Sequence, residues 1–392
     1  MPPLSASLLD TASPPIPEVQ AWGRAYDGSC GPLMNLCQAV PAYPPPNAML
    51  RRLAEAAGEP ASASYGPILG EPTLREAVAE ELRLTLGGGE AENVAITAGC
   101  NQAFFVALTA IADAGDAVLI PTPWYFNHAM AARMTGIEPR PLPCRAENGF
   151  VPDVEEAARR MADGRVRAVV LVTPNNPTGA IYPPEVIAAF HALCRDRGAW
   201  LILDETYADF LPDGGRAHDL LAGGNWPEAL IRLTSFSKSF AIPGHRLGAL
   251  AAPASVLPEM TKVMDCVQIC ANRGAQAALT WGLAALDGWR AERRAEATRR
   301  AGRVREAFSR LDGWRLESVG VYFAYARHPF GAESAWRVCE HLAREHGMMA
   351  LPGPAFGGEE RHLRIAFANL SETDIPALES RLRAVATAAV PA

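Results

Sequence analysis

Six short apolar runs constrain the fold of this chain more than any other feature. They are Val94–Thr97, Ala117–Ile120, Ala168–Val172, Trp200–Leu203, Leu230–Thr234 and Leu247–Ala251. Each is apolar throughout or nearly so, without the alternation of a strand that has one face in water. That predicts strands buried on both faces. Helical patterns separate several of them, among them Thr73–Leu86 and Asn101–Ala112. In the first, Leu74, Val78 and Leu82 recur at i, i+4 and i+8 and make one apolar face. Pro72 stands at its start, where a missing N–H costs nothing. Gly87, Gly88 and Gly89 follow this helix and not a strand, so they read as its end and not as a phosphate loop. Strands alternating with helices predict an α/β fold: a mostly parallel sheet flanked by helices.

The pattern differs at the two ends. Residues 1–47 are proline-rich, finish in Pro44-Pro45-Pro46 and show little periodicity, which predicts an N-terminal arm lying across the rest. After about residue 255 comes a long Arg- and Ala-rich helical stretch, Trp289–Leu311, then a strand over Val319–Ala326 and another over His362–Ala366. A chain of 392 residues is long for one core. The expected division is an arm (1–47) packing with the small domain, a large domain (48–285) and a smaller α+β C-terminal domain (286–392).

Composition removes several function classes. The formal net charge of -7 argues against a nucleic-acid partner. No apolar run approaches the roughly 18 residues of a membrane span. The start, Met1-Pro2-Pro3, lacks the basic and apolar regions of a secretory signal, so a cytoplasmic location is expected. The 8 cysteines form no C-x-x-C pair, which predicts free thiols and no metal site.

Of 36 basic residues, only Lys238 and Lys262 are lysines. Arginine cannot do what a lysine amine can: lose its proton and form an imine with an aldehyde. Lys262 lies in a helical pattern among polar neighbours and reads as a surface amine. Lys238, in Ser235-Phe236-Ser237-Lys238-Ser239-Phe240, follows the run Leu230–Thr234. Ligands in open α/β sheets sit beyond the carboxyl ends of strands. Two other runs end the same way. Asp204-Glu205-Thr206-Tyr207 follows one, and Thr173-Pro174-Asn175-Asn176-Pro177-Thr178-Gly179 another. Asp204 alone reads better as a helix N-cap, and the Asn-Pro segment as a tight turn. Three strand ends carrying polar groups into one cleft predict a site. Thr97-Ala98-Gly99-Cys100-Asn101-Gln102 joins a strand to a helix and offers free N–H groups to an anion. Gly244-His245-Arg246-Leu247-Gly248 adds a planar guanidinium.

In this order the segments resemble the class I/II aminotransferases, enzymes of the aspartate-aminotransferase fold (fold type I) that depend on pyridoxal 5'-phosphate. Tyr65–Arg75, Thr97–Ala103, Pro174–Gly179, Asp204–Tyr207, Ser235–Gly248 and Leu363–Phe367 carry the likeness, across residues 36 to 367. The resemblance implies that Lys238 is the catalytic lysine holding the cofactor aldehyde. It makes Asp204 the partner of the ring nitrogen, and Tyr207 and Asn176 donors to the cofactor's 3-oxygen. Ser235, Arg246 and the backbone of Gly99, Cys100 and Asn101 become the phosphate cup, and Tyr125 stacks on the ring. Arg364, with Ala39 and Asn176, faces the substrate, Arg364 gripping its carboxylate. Tyr65 reaches the phosphate of a neighbouring subunit, which implies a homodimer with shared sites and no metal.

Two positions depart from the family pattern. Ala39 stands where glycine is usual, and Arg273 where a small hydroxyl residue is common. Arg273 is open to three roles: a cross-subunit phosphate contact, a substrate side-chain contact, or a surface ion pair. The same cofactor residues would also serve a β-eliminating C–S lyase. A non-catalytic ligand-sensing domain is a third reading, for which the arm before residue 48 leaves no room for a DNA-binding region. Aminotransfer from a neutral amino acid with a large apolar or aromatic side chain to a 2-oxo acid, by a ping-pong mechanism, is the expected activity. The substrate expectation rests on Trp124, Tyr125, Phe126 and Tyr43.

Overall fold

A computed structural model describes residues 2–386. Its main sheet has seven strands: β1 Val94–Thr97, β2 Ala117–Thr122, β3 Glu138–Pro143, β4 Val166–Val172, β5 Trp200–Asp204, β6 Leu230–Ser235 and β7 Gly248–Ala251. Their order across the sheet is β1-β7-β6-β5-β4-β2-β3. Only β7 runs against the others, pairing antiparallel with both β1 and β6. The mostly parallel sheet expected from the apolar runs is therefore present.

Alternate residues of these strands serve two separate cores. Val169, Leu171, Leu201 and Leu203 join one hydrophobic cluster, and Ala168, Val170, Ile202 and Leu233 join another. Helices cover both faces, so most strand positions face apolar surroundings and nearly continuous apolar runs result. β3 carries no such run. It reads Glu-Pro-Arg-Pro-Leu-Pro and pairs only with β2, at the edge of the sheet. Pro139, Pro141 and Pro143 share one side of the strand. Their missing N–H groups therefore fall on the open edge, where nothing needs a donor.

The helices that bear on the site are α1 Pro15–Arg24, α2 Pro72–Leu86, α3 Cys100–Ile111, α4 Phe126–Met134, α5 Phe236–Ser239, α6 Asp287–Phe308 and α7 Ala335–His346. α2 ends at Gly87 in the left-handed conformation, as its sequence requires. α1 lies inside the segment expected to be an arm of little periodicity. Val19 and Trp22 are buried in one cluster with Val338 and Leu342 of α7, and Trp22 meets Trp336 edge to face. Proline at its first turns helped to hide this helix in the sequence.

A second sheet of four antiparallel strands has the order β10-β11-β9-β8, with β8 Arg315–Gly320, β9 Phe323–Arg327, β10 Leu351–Pro352 and β11 His362–Ala366. The single strand expected over Val319–Ala326 is in fact a turn between two. β8 ends at Gly320, and Val321 takes a φ of 53°, reversing the chain into β9. Apolar character concealed the reversal, because the turn residues Val321 and Tyr322 are as buried as β9 while β8 is only half-buried. Met34–Asn35 pairs in parallel with Met348–Met349.

Candidate active site

The carboxyl ends of β1, β2, β4, β5 and β6 converge on a cavity of about 290 Å³. Ala39, Cys100, Asn101, Tyr125, Asn176 and Asp204 line it, and so do Tyr207, Ser235, Lys238, Arg246 and Arg364. Two expected residues lie outside. Gly99 sits behind Arg246, and Tyr65 is 80% exposed in the single chain.

Asp204 ends β5 and is almost wholly buried. Its Oδ1 accepts from the backbone N of Thr206 at 3.0 Å and from the Thr206 hydroxyl at 2.7 Å. Its Oδ2 lies 3.3 Å from His128 Nε2. Burial pushes the carboxyl up, but His128 and Thr206 outweigh it and hold the group below its ordinary value. His128 projects from the first turn of α4 and stacks on Phe104 at 4.0 Å between ring centroids. Sequence reasoning missed both His128 and Thr206. The usable signal for His128 was its place one turn beyond Tyr125.

Lys238 Nζ donates to the carbonyl of Ala39. Desolvation, with Arg246 and Arg364 nearby, pushes its amine down to about 8. A useful fraction is then free amine near neutral pH. Lys262, the other lysine, is exposed and paired with Glu259, as expected.

The turn from β1 into α3 needs Gly99. Its φ is +86°, and a Cβ there would stand 2.4 Å from Arg246 Nη2. No side chain caps α3, so its first N–H groups are free, and Arg246 stands beside them. Arg246 Nη1 and Nη2 are tethered to the carbonyls of Pro243 and Ala98, at 3.0 and 3.4 Å. Ser235 caps α5 by accepting from Ser237 N at 3.3 Å. Together these make a cationic, donor-rich cradle fitted to an anion.

Arg364 on β11 closes the other side. It is buried between the rings of Phe323 and Phe356, 5.1 and 4.9 Å from their centroids. Nη1 donates to Asn176 Oδ1 at 3.0 Å, Nη2 to the Cys37 carbonyl, and the buried Nε has no partner. Burial pushes the guanidinium down to about 10. Tyr125 donates to Asn101 Oδ1 at 3.4 Å, and burial raises its phenol to about 12. Tyr207 is likewise pushed up by burial.

The four aromatic residues singled out from the sequence separate. Tyr125 and Phe126 line the cavity, joined by Ile16 of α1 and by Val40. Trp124 packs outside it, with Arg133 over its ring, and Tyr43 meets Trp289 edge to face. Arg273 also stays away. Its Nε pairs with Glu71 at 2.5 Å and its Nη1 donates to the Ala61 carbonyl at 2.6 Å. Among the described residues, no group of three or more acidic, His or Cys side chains forms a metal site, and no helix is long and apolar enough to cross a membrane.

The family model for aminotransferase class I and II matches residues 31–382. An aromatic aminotransferase of Arabidopsis thaliana is 32% identical over 367 residues, covering 89% of each chain. An aspartate aminotransferase of Pyrococcus horikoshii is 30% identical, over 80% of this chain and 81% of its own. Among solved structures, a single-mutant aspartate aminotransferase of Thermus thermophilus superposes with a TM-score of 0.90 at 28% identity, over 98% of this chain and 100% of its own.

Proposed function

Because this chain belongs to the class I and II aminotransferases, we propose that it carries the amino group of a neutral L-amino acid with a large apolar or aromatic side chain to a 2-oxo acid. The transfer runs in two half-reactions, with pyridoxal 5'-phosphate as cofactor.

The residues present fit that cofactor. The α3 N-terminus, Ser235 and Arg246 would hold its phosphate. Asp204, buried yet held ionised, would accept from the ring nitrogen and keep it protonated. Asn176 and Tyr207 would meet the 3-oxygen, and Tyr125 the ring face. Pyridoxal phosphate bound there supplies an electron sink for a carbanion at the substrate α-carbon.

The chain's own residues do the rest. Lys238, with its lowered amine pKa, would hold the cofactor aldehyde. Once released by the substrate amine, its amine would take the proton from the substrate α-carbon as general base and deliver it to the cofactor C4′ as general acid. Arg364 grips the α-carboxylate through its planar fork, and the Phe323 and Phe356 rings keep that fork from turning. Burial of Asp204, Asn176 and Arg364 keeps water from the reacting atoms.

One observation carries the substrate reading. The cations lining the cavity are Lys238, Arg246 and Arg364. The first is the reacting amine, and the other two have an anion each in the scheme above. Among the described residues none remains for a second carboxylate, and burying one unpaired is costly. Ile16, Val40 and Phe126 offer apolar surface instead. We assign the active unit as a homodimer in which Tyr65 completes the partner's site. We divide the chain into an arm (1–47), a large domain (48–285) and a small domain (286–392), of which 387–392 lie outside the described residues. A panel of amino donors with one shared acceptor tests the substrate class. We expect kcat/KM for phenylalanine, methionine or leucine to exceed that for aspartate, and the reverse order refutes the reading.

A further inference from the structure

A second cavity, of about 340 Å³, borders the helix that carries Lys238. Ser237 and Lys238 of this short segment line the first cavity, Phe236 and Ser239 line the second, and Ser235 borders both. Nothing in the transfer reaction uses the second cavity.

Its wall is apolar, built from Val78, Leu82 and Leu86 of α2 with Leu211 and Phe236. Its charged groups are of two kinds. The carboxylates already have cations: Glu81 and Asp209 share Arg290, and Glu205 pairs with Arg232. Two arginines at the rim have no ion pair among the described residues. Arg216 is tethered only through Nε, to the Thr85 carbonyl at 2.9 Å. Arg294 is tethered the same way, to the Asp209 carbonyl at 2.7 Å. Among the described residues, Nη1 and Nη2 of both have no acceptor. The two meet at one short segment, since Arg294 Nη1 lies 3.0 Å from where a Cβ on Gly214 would stand, two residues before Arg216.

A guanidinium held by Nε alone presents its terminal fork, the geometry that takes a carboxylate through two parallel hydrogen bonds. Two such forks above an apolar wall match a molecule with one carboxylate and a hydrocarbon body. We propose that this cavity is a second binding site, for a small monocarboxylate with an apolar body, distinct from the site that Arg364 serves. A ligand there contacts Phe236 and Ser239, and so bears on the helix holding Lys238.

4-Methylpentanoate and 3-phenylpropanoate test this, because neither has an amine or oxo group and neither can enter the transfer reaction. Calorimetric titration of the holoenzyme is expected to find two sites per chain. Arg364→Ala should remove one. The double variant Arg216→Ala/Arg294→Ala should weaken the other at least tenfold and leave the Arg364-dependent site intact. Thr85→Trp, at the exposed rim, should block the same second site while turnover at saturating substrate stays native. A single site per chain that disappears in Arg364→Ala overturns the proposal. So does a second site that both the double variant and Thr85→Trp leave unchanged. Loss of the Arg364-dependent site is read separately, so failure of the substrate-carboxylate assignment is not mistaken for failure of the second site.

Discussion

His128 Nε2 stands 3.3 Å from Asp204 Oδ2, with both side chains almost wholly buried. A carboxylate in that position would otherwise take up a proton, because burial disfavours its charged form. With Thr206 donating to the other oxygen, the contact keeps Asp204 ionised and aimed.

Asp204→Ala is therefore expected to bind pyridoxal phosphate but turn over slowly. Loss of one charge-assisted hydrogen bond weakens cofactor binding by about 1.5–3 kcal/mol. The loss in kcat should be larger, since the ring nitrogen no longer stays protonated. Cofactor titration and kcat together check this, and a near-native kcat would refute the role.

Lys238 should carry the cofactor. Borohydride reduction and peptide mapping are expected to find the label on Lys238, and a label on Lys262 contradicts it. The amine's value of about 8 lies below that of a free lysine, so protonation, the unreactive state, dominates below pH 8. Capture of pyridoxal phosphate by the apoenzyme should accelerate about tenfold per pH unit on the acid side and level off above pH 8. A rate still climbing steeply at pH 10 would mean an ordinary lysine.

Arg364→Lys keeps the charge but loses the fork that spans Asn176 and the Cys37 carbonyl. We expect kcat/KM to fall on the order of a hundredfold, the equivalent of one or two charge-assisted hydrogen bonds. Cofactor affinity should be unchanged. A loss of cofactor with no change in KM would place Arg364 elsewhere in the mechanism.

Tyr65 is 80% exposed in the isolated chain. Tyr65→Phe subunits mixed with Lys238→Ala subunits should regain activity, because one site of each heterodimer recovers both native residues. Activity no greater than the sum of the two separate variants would argue against sites built from two chains.

The sheet was legible because its strands are buried on both faces, and that leaves a mark on every residue of a run. β3 escaped notice because an edge strand tolerates proline, and the Gly320–Phe323 reversal because its turn is as buried as the strand that follows it. Lys238, Asp204, Asn176 and Arg246 were legible because each follows or precedes a strand in a short, chemically unusual segment. His128 was not, since a single histidine in a helical stretch carries no pattern. Trp124 and Tyr43 stand in segments expected to approach the substrate, and the packing instead sets Trp124 against Arg133 and Tyr43 against Trp289.

By itself the sequence determined six of the seven strands of the main sheet and the aminotransferase family, and it pointed to Lys238 as the amine to test. These depend on local runs and on residue chemistry, which neighbours in the chain record directly. Only the tertiary structure decided which residues share a cavity. It set Arg364 against Asn176, 188 positions away, put His128 against Asp204, tied Arg273 to Glu71, and left Arg216 and Arg294 without acidic partners among the described residues at the rim of a second cavity. Such pairings depend on how separate elements pack, and a side chain's charge, burial and reach are fixed only when its distant neighbours arrive.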